Sequence, residues 1–176
     1  MAKAQVVDIR EALATDSEAL LAFMARVQEQ TSYISVADWQ NFQSDALAHF
    51  LAEDCERLGQ FCLVACLGKR VIGLCHLSRD QDPMLAHIGD LFLVVDEDFW
   101  GQGLGQALLE TVIDWAVHTP ELAKLCLTVQ ARNQAAIHIY EKNGFVIEGK
   151  HPLGVKTRKG DFLDTYSMGR LIDERR

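Results

Sequence analysis

No stretch of this chain approaches the ~18 consecutive apolar residues that a membrane-spanning helix needs. Its opening residues, MAKAQVVDIR, also lack the apolar core of a secretory leader. Membrane partners are therefore not expected, and the expected location is cytoplasmic. Positive charge is scarce too, with 17 Lys and Arg against 25 Asp and Glu and a net charge of −8. Nucleic-acid phosphates want a basic face, so nucleic acid is not the expected partner either, and a cationic small molecule is modestly favoured. Cys55, Cys62, Cys66, Cys75 and Cys126 are odd in number, sit mostly in apolar runs and form no C-x-x-C pair. They read as reduced core thiols. The six histidines show no metal-ligand spacing with the cysteines, so no metal is expected. There is no internal repeat, linker or low-complexity segment. What remains is ordinary globular composition, 49% hydrophobic and 24% charged, in 176 residues that suit a single domain, 1–176.

Hydrophobic periodicity divides that domain into alternating strands and helices. Gln5 to Arg10 reads as a first strand. Thr15 and Glu18 have the spacing of a capping box, opening a helix whose apolar face is Leu20, Leu21, Met24 and Val27. After a turn-like break at Thr31 to Val36, a second helix is expected from about Asp38 to Glu56, burying Trp39, Phe42, Ala46, Leu47 and Phe50. Phe61 to Leu67 and Val71 to Leu77 read as a hairpin about Gly68-Lys69-Arg70. A central strand follows at Ala86 to Val95. Later come a helix ending near Thr119-Pro120, a strand at Lys124 to Val129, and a short helix from Gln134 to Lys142 capped by Asn133 and closed by Asn143-Gly144. A strand begins at Phe145, His151 to Gly160 reads as a basic loop, and Leu163 to Leu171 as the last strand. The fold class is α/β.

The chain is organised around DLFLVVDEDFWGQGLGQ, Asp90 to Gln106. Five apolar residues, Leu91 to Val95, suit a buried strand. Three alternating glycines follow, Gly101, Gly103 and Gly105, and then Leu104, Leu108, Val112 and Trp115 recur at helical spacing. Glycine lets a backbone adopt positive φ and approach a ligand closely. The first N–H groups of the following helix have no internal partner, so they can receive a phosphate. The turn holds no lysine or arginine, and phosphate binding there would rest on backbone amides. The pattern alone also fits a tight strand-to-helix turn that binds nothing.

A second constellation is NQAAIHIYEKNGF, Asn133 to Phe145. Asn133 and Tyr140 are seven apart and share one helix face, with the small Ala136 between them. A phenol so placed could protonate a leaving group. Equally, Asn133 reads as a cap and Tyr140 as a core aromatic.

Together, and in this order, the glycine turn and N-x-x-A-x-x-x-Y-E-K-x-G-F resemble the GNAT superfamily of acyl-CoA-dependent N-acetyltransferases. The resemblance is close over Ala86 to Lys150, and the element order fits nearly the whole chain. It implies a mixed, mostly antiparallel sheet of about six to seven strands flanked by about four helices. Its cosubstrate is acetyl-CoA as acyl donor. The strand positions that pair with the pantetheine arm match Leu93, Val94 and Val95. The pyrophosphate loop matches Gly101, Gln102, Gly103, Leu104, Gly105 and Gln106. The family's cofactor-side asparagine matches Asn133, and its tyrosine, the acid that protonates the departing thiolate, matches Tyr140. Homodimers are common in the family.

Two positions depart from the pattern. Trp100 stands where the family loop often begins with Arg or Gln, and it is expected to pack. Thr128 stands where members that acetylate protein N-termini often carry a glutamate, which counts against that substrate. The implied function is acetyl transfer to a primary amine of a small molecule or amino acid. An attacking amine must be neutral, so a base is needed; Asp90 is the candidate, with Glu97 second. The amide near Val94 or Val95 would meet the developing oxyanion. No Ser–His–Asp or Cys–His arrangement stands out, so transfer is expected to be direct. His76 and His87 read as flanking the acceptor groove or as structural. The run Lys156 to Lys159 reads as a solvated loop or as a partner for an acidic group. The alternatives are a non-catalytic acyl-CoA-binding or regulatory domain, or acetylation of a protein amine. A dinucleotide-binding oxidoreductase is disfavoured because the glycines follow antiparallel strands with no acidic residue at the required later strand end. A nucleotide-hydrolysing P-loop is excluded, since no Gly-Lys-Ser/Thr follows the glycines.

Overall fold

The computed structural model describes residues 6–35, 39 and 41–172. Seven strands form one sheet in the order β1-β2-β3-β4-β5-β7-β6. They are β1 Val7–Glu11, β2 Phe61–Leu67, β3 Arg70–Arg79, β4 Ile88–Val95, β5 Lys124–Gln130, β6 Val146–Lys156 and β7 Phe162–Leu171. Pairing is antiparallel for β1–β2, β2–β3, β5–β7 and β6–β7, and parallel for β4–β5. The principal helices are α1 Ser17–Gln30, α2 Ser44–His49, α3 Leu104–Val117 and α4 Gln134–Lys142. The mostly antiparallel mixed sheet and its helices are those expected. Among the described residues no helix is long and apolar enough to cross a membrane.

The chain forms two compact units, one drawn from Met1–Ser78 with Phe92–Val112, the other from Arg79–Leu91 with Ile113–Arg176. In the first, Leu20, Phe23, Met24 and Val27 recur at helical spacing on α1 and are buried against Val64, Val71 and Leu74 of β2 and β3. The β2–β3 hairpin turns at Gly68, whose φ is 61°, and pairs Leu67 with Arg70. α1 starts differently from the capping box expected at Thr15 and Glu18. A 3-10 turn, Ala14–Asp16, precedes it, and Asp16 accepts the Leu13 N–H at 2.7 Å. Asp16 also takes two hydrogen bonds from Arg10, at 2.7 and 2.9 Å, which hold its carboxyl below the usual range. The box forms instead between Leu13 and Asp16, which leaves Thr15 inside the 3-10 turn rather than at a cap.

The second helix is shorter than expected. Asp38 lies outside the described residues, and α2 begins at Ser44 because Gln43 is extended (φ −83°, ψ 148°). It runs on through a π-helical stretch, Phe50–Asp54, into a final turn, Cys55–Arg57. The first strand likewise starts at Val7; Gln5 lies outside the described residues.

In the second unit, Leu125, Leu127 and Val129 alternate as the buried face of β5, and Met168 sits opposite Leu127 on β7. α4 spans the expected Gln134–Lys142, buries Ile137 and Tyr140, and ends at Gly144 with φ 81°. The loop expected at His151 to Gly160 is mostly strand: β6 runs to Lys156, and only the turn about Thr157–Asp161 separates it from β7. Pro152 and Gly154 mark a bulge instead, where the register shifts between His151 and Val155 and Leu153 takes φ 55°.

Candidate functional site

In the first unit the glycine turn leads into α3 as the spacing predicts. Gly101 and Gly103 have φ of 72° and 82°, a left-handed backbone that side chains rarely adopt. Gly101, Gln102 and Gly103 are exposed, and Leu104, Gly105 and Gln106 half-buried. The first intrahelical bond runs from the Ala107 N–H to the Gly103 carbonyl at 3.0 Å. The preceding amides therefore face the N-terminal end of a 14-residue helix, where an anion is favoured. The Gln102 side chain is turned back to donate to the Asp98 carbonyl at 2.9 Å, and the Gln106 side chain donates to Glu110 along the helix.

β4 enters this turn from a short parallel pairing. Its eight residues are matched with β5 only at Ile88, Gly89 and Asp90. Leu93 and Val95 are half-buried and Val94 is buried. The Val95 carbonyl accepts the Trp100 indole N–H at 2.8 Å, which uses one of its two lone pairs. Trp100 was expected to pack, yet it is 47% exposed, with its ring 6.5 Å from that of Tyr33.

A buried anion anchors the end of β4. Asp96 has no exposed side-chain surface and accepts from Arg26 Nε at 2.8 Å, Arg70 Nη2 at 2.7 Å and Gln30 Nε2 at 2.9 Å. Its own N–H donates to the Ile72 carbonyl. Burial alone would push its carboxyl up, but these donors and the Asp98 N–H outweigh that and hold it at about 2. In the sequence Asp96 stands out only as the first of three acidic residues, Asp96 to Asp98, between strand and glycine turn. The signal that could have found it is its place directly after a buried strand, where a carboxylate needs cations brought from elsewhere. Glu97, the second candidate base, is exposed.

In the second unit Asp90 stands opposite Cys126, whose thiol donates to its carboxylate at 3.6 Å. Loss of hydration raises the Asp90 pKa above the ordinary carboxylate value, against a smaller lowering by that thiol. By surface area the residue itself is exposed. Cys126 is itself pushed up to about 11, first by burial and then by the charge of Asp90. Beside it Lys124 donates to Glu148 at 2.7 Å, and the carboxylate of Glu148 lies in the space a side chain on Gly169 would need. The described cysteines are free and all five thiols are raised, so none is a ready thiolate nucleophile.

α4 holds the other two named residues. The Asn133 side-chain oxygen accepts the Ala136 N–H at 3.2 Å, the cap the sequence suggested. Tyr140 is 7% exposed, with its ring 5.8 Å from that of Phe145. His87 is exposed, and its carbonyl accepts the Ala123 N–H at 2.9 Å. Lys156 lies over the Phe162 ring at 5.4 Å, at the base of the β6–β7 turn.

Comparison with known proteins shows the family of the chain. Residues 23–145 match the model of the acetyltransferase (GNAT) family. An acetyltransferase of that family from Streptococcus pneumoniae superposes with a TM-score of 0.89 at 41% identity, covering 94% of this chain and 99% of the other. An L-amino acid N-acetyltransferase of Escherichia coli strain K12 is 33% identical over 112 residues, 62% of this chain and 67% of its own. A Salmonella typhimurium protein solved with its cofactor acetyl-CoA shares the fold, with a TM-score of 0.81 at 24% identity over 97% of this chain and 96% of the other. The chain belongs to the GNAT acetyltransferase family.

Proposed function

We propose that the protein transfers an acetyl group from acetyl-CoA directly to the primary amine of a small molecule or amino acid, in a reducing, cytoplasmic setting. The observation that carries this is the Gly101–Gly105 turn. Two left-handed glycines open its backbone, it holds no basic side chain, and it leads into the 14-residue α3 in a chain of this family. The turn suits the pyrophosphate through amides and helix dipole together. The Leu93, Val94 and Val95 backbone, beyond the short β4–β5 pairing, would hold the pantetheine arm, with Val95 offering its remaining carbonyl lone pair. Asn133, with its oxygen engaged in the cap, would donate through its amide nitrogen.

Acetyl-CoA supplies the thioester carbonyl as acyl donor. Asp90 accepts the proton of the attacking amine, a role that its raised pKa suits, because a base is most effective when its pKa approaches the working pH. The Val94 or Val95 amide donates to the carbonyl oxygen as it gains charge. Nitrogen bonds to the carbonyl carbon, the carbon–sulfur bond breaks, and Tyr140 gives its phenolic proton to the departing sulfur. The free and raised thiols support transfer without an acyl-cysteine. The E. coli relative's name as an L-amino acid acetyltransferase supports the acceptor class.

Titration of acetyl-CoA into the pure protein by calorimetry, followed by a thiol-release screen of amines and amino acids, tests this. Saturable equimolar binding and amine-dependent thiol release are expected. No binding at high ligand concentration would overturn it.

A further inference from the structure

Aromatic rings gather beside the second half of β4 in the first unit. Trp39 stacks on Phe92 with centroids 6.4 Å apart and planes 29° from parallel. Phe42 lies 6.0 Å from Trp39. His76 of β3 meets Trp39 and Phe50 edge-on, at 6.3 and 6.1 Å. Nε2 of His76 lies 3.0 Å from Gln60 Oε1, and loss of hydration lowers its pKa to about 4, so this ring is neutral near pH 7 and adds no charge. The core of the same unit shows what a purely structural aromatic looks like, for Phe23 is completely buried. Trp39, Phe50 and Phe92 are only partly buried where they rest on that core, and Phe42 is 40% exposed. The rings therefore keep apolar surface open to solvent next to Phe92. The strand segment that begins there runs on to the proposed pantetheine positions.

Resting on the transferase reading above, we propose that Trp39, Phe42 and Phe92 receive an apolar or aromatic side chain of the acceptor amine and so determine specificity. Rings with no charge among them reward an apolar group by removing it from water. They offer nothing to a carboxylate, which would lose hydration without a partner. The acceptor class is then an amino acid or amine with an apolar side chain, rather than glycine, an acidic amino acid or a polyamine.

The test compares kcat/KM for L-phenylalanine, L-leucine, glycine, L-aspartate and spermidine at saturating acetyl-CoA, in the wild type and in Trp39→Ala, Trp39→Phe and Phe42→Ala. L-phenylalanine and L-leucine are expected to exceed glycine by roughly tenfold or more. Trp39→Ala should bring the phenylalanine-to-glycine ratio close to one with the KM for acetyl-CoA unchanged, Trp39→Phe should restore most of it, and the half-exposed Phe42→Ala should reduce it in a protein that folds. Glycine, aspartate or spermidine used as well as phenylalanine would overturn the inference, as would a ratio unmoved in both alanine variants. Acetyl-CoA binding with thiol release from neither apolar acceptor would overturn the side-chain assignment alone. Absence of acetyl-CoA binding would overturn the transferase reading beneath it.

Discussion

Asp96 shows how a single side chain sets up the ground on which the glycine turn stands. Two arginines and a glutamine converge on a carboxylate with no exposed surface, tying α1 and β3 to the end of β4. Removing the anion would leave Arg26 and Arg70 without it, so Asp96→Ala is expected to cost about 3–5 kcal/mol in urea unfolding. The sign with pH follows from the depressed folded pKa. The unfolded carboxyl titrates near ~4 and the folded one at about 2, so the stabilisation is complete above ~4 and is lost as pH falls towards 2. Asp96→Asn should flatten the wild-type loss of stability in that window and change little at pH 7 to 8 beyond a constant offset. Asp90 carries the opposite shift. Because burial raises its pKa, the acid limb of kcat/KM is expected above the ordinary carboxylate range, with activity falling as pH drops through it. Asp90→Asn should remove that limb and lower turnover by about 10²–10⁴. A limb unchanged in the variant would take Asp90 out of the reaction. Tyr140→Phe should lower kcat with acetyl-CoA affinity nearly unchanged, and an unaltered kcat would remove the phenol from it.

At the scale of elements, what could be read in advance depended on how local the deciding forces were. α4 was legible to the residue, because its cap, Asn133, and its close, Asn143-Gly144, lie in the same short segment. The turn into α3 was legible for the same reason: glycines decide φ by themselves. The start of α1 was not, because Asp16, held by Arg10 six residues away, takes the Leu13 N–H and leaves Thr15 inside a 3-10 turn. The first part of β6 reads as a strand, but from His151 on it reads as a loop, because Pro152 and Gly154 usually interrupt strands. The antiparallel neighbour β7 supports them through a bulge, which no local pattern announces. The candidate site divides the same way. Its turn, strand segment and helix cap were visible, while the Asp96 hub, the Asp90–Cys126 contact and the aromatic cluster about Trp39 join residues far apart in sequence. The turn itself gives the test at this scale. Gly103 sits at φ 82°, so Gly103→Glu places both a disfavoured backbone and a negative charge at the proposed phosphate site. Acetyl-CoA binding is expected to disappear from a protein whose circular dichroism is unchanged; normal affinity in that variant would refute the loop's role.

For the whole molecule, the family fold and the proposed ligand meet in thermodynamic linkage. A ligand that binds only the folded chain stabilises it by RT ln(1 + [L]/Kd), about 2.7 kcal/mol at a hundredfold excess over Kd. For a chain of this length each kcal/mol moves the midpoint of thermal unfolding by about 2–4 °C. Acetyl-CoA at that excess should therefore raise Tm by about 5–10 °C. CoA, which keeps the pyrophosphate and pantetheine, should give most of the shift if the turn amides and the β4 backbone supply most of the affinity. Free acetate should give none. Gly103→Glu should lose the shift for both nucleotides, whereas Tyr140→Phe and Asp90→Asn should keep it, because their proposed work begins only when the amine attacks. A shift from acetyl-CoA without one from CoA would move the binding energy away from the glycine turn and onto the acyl group. The assignment of Gly101 to Gln106 would then have to be given up even though the fold stands.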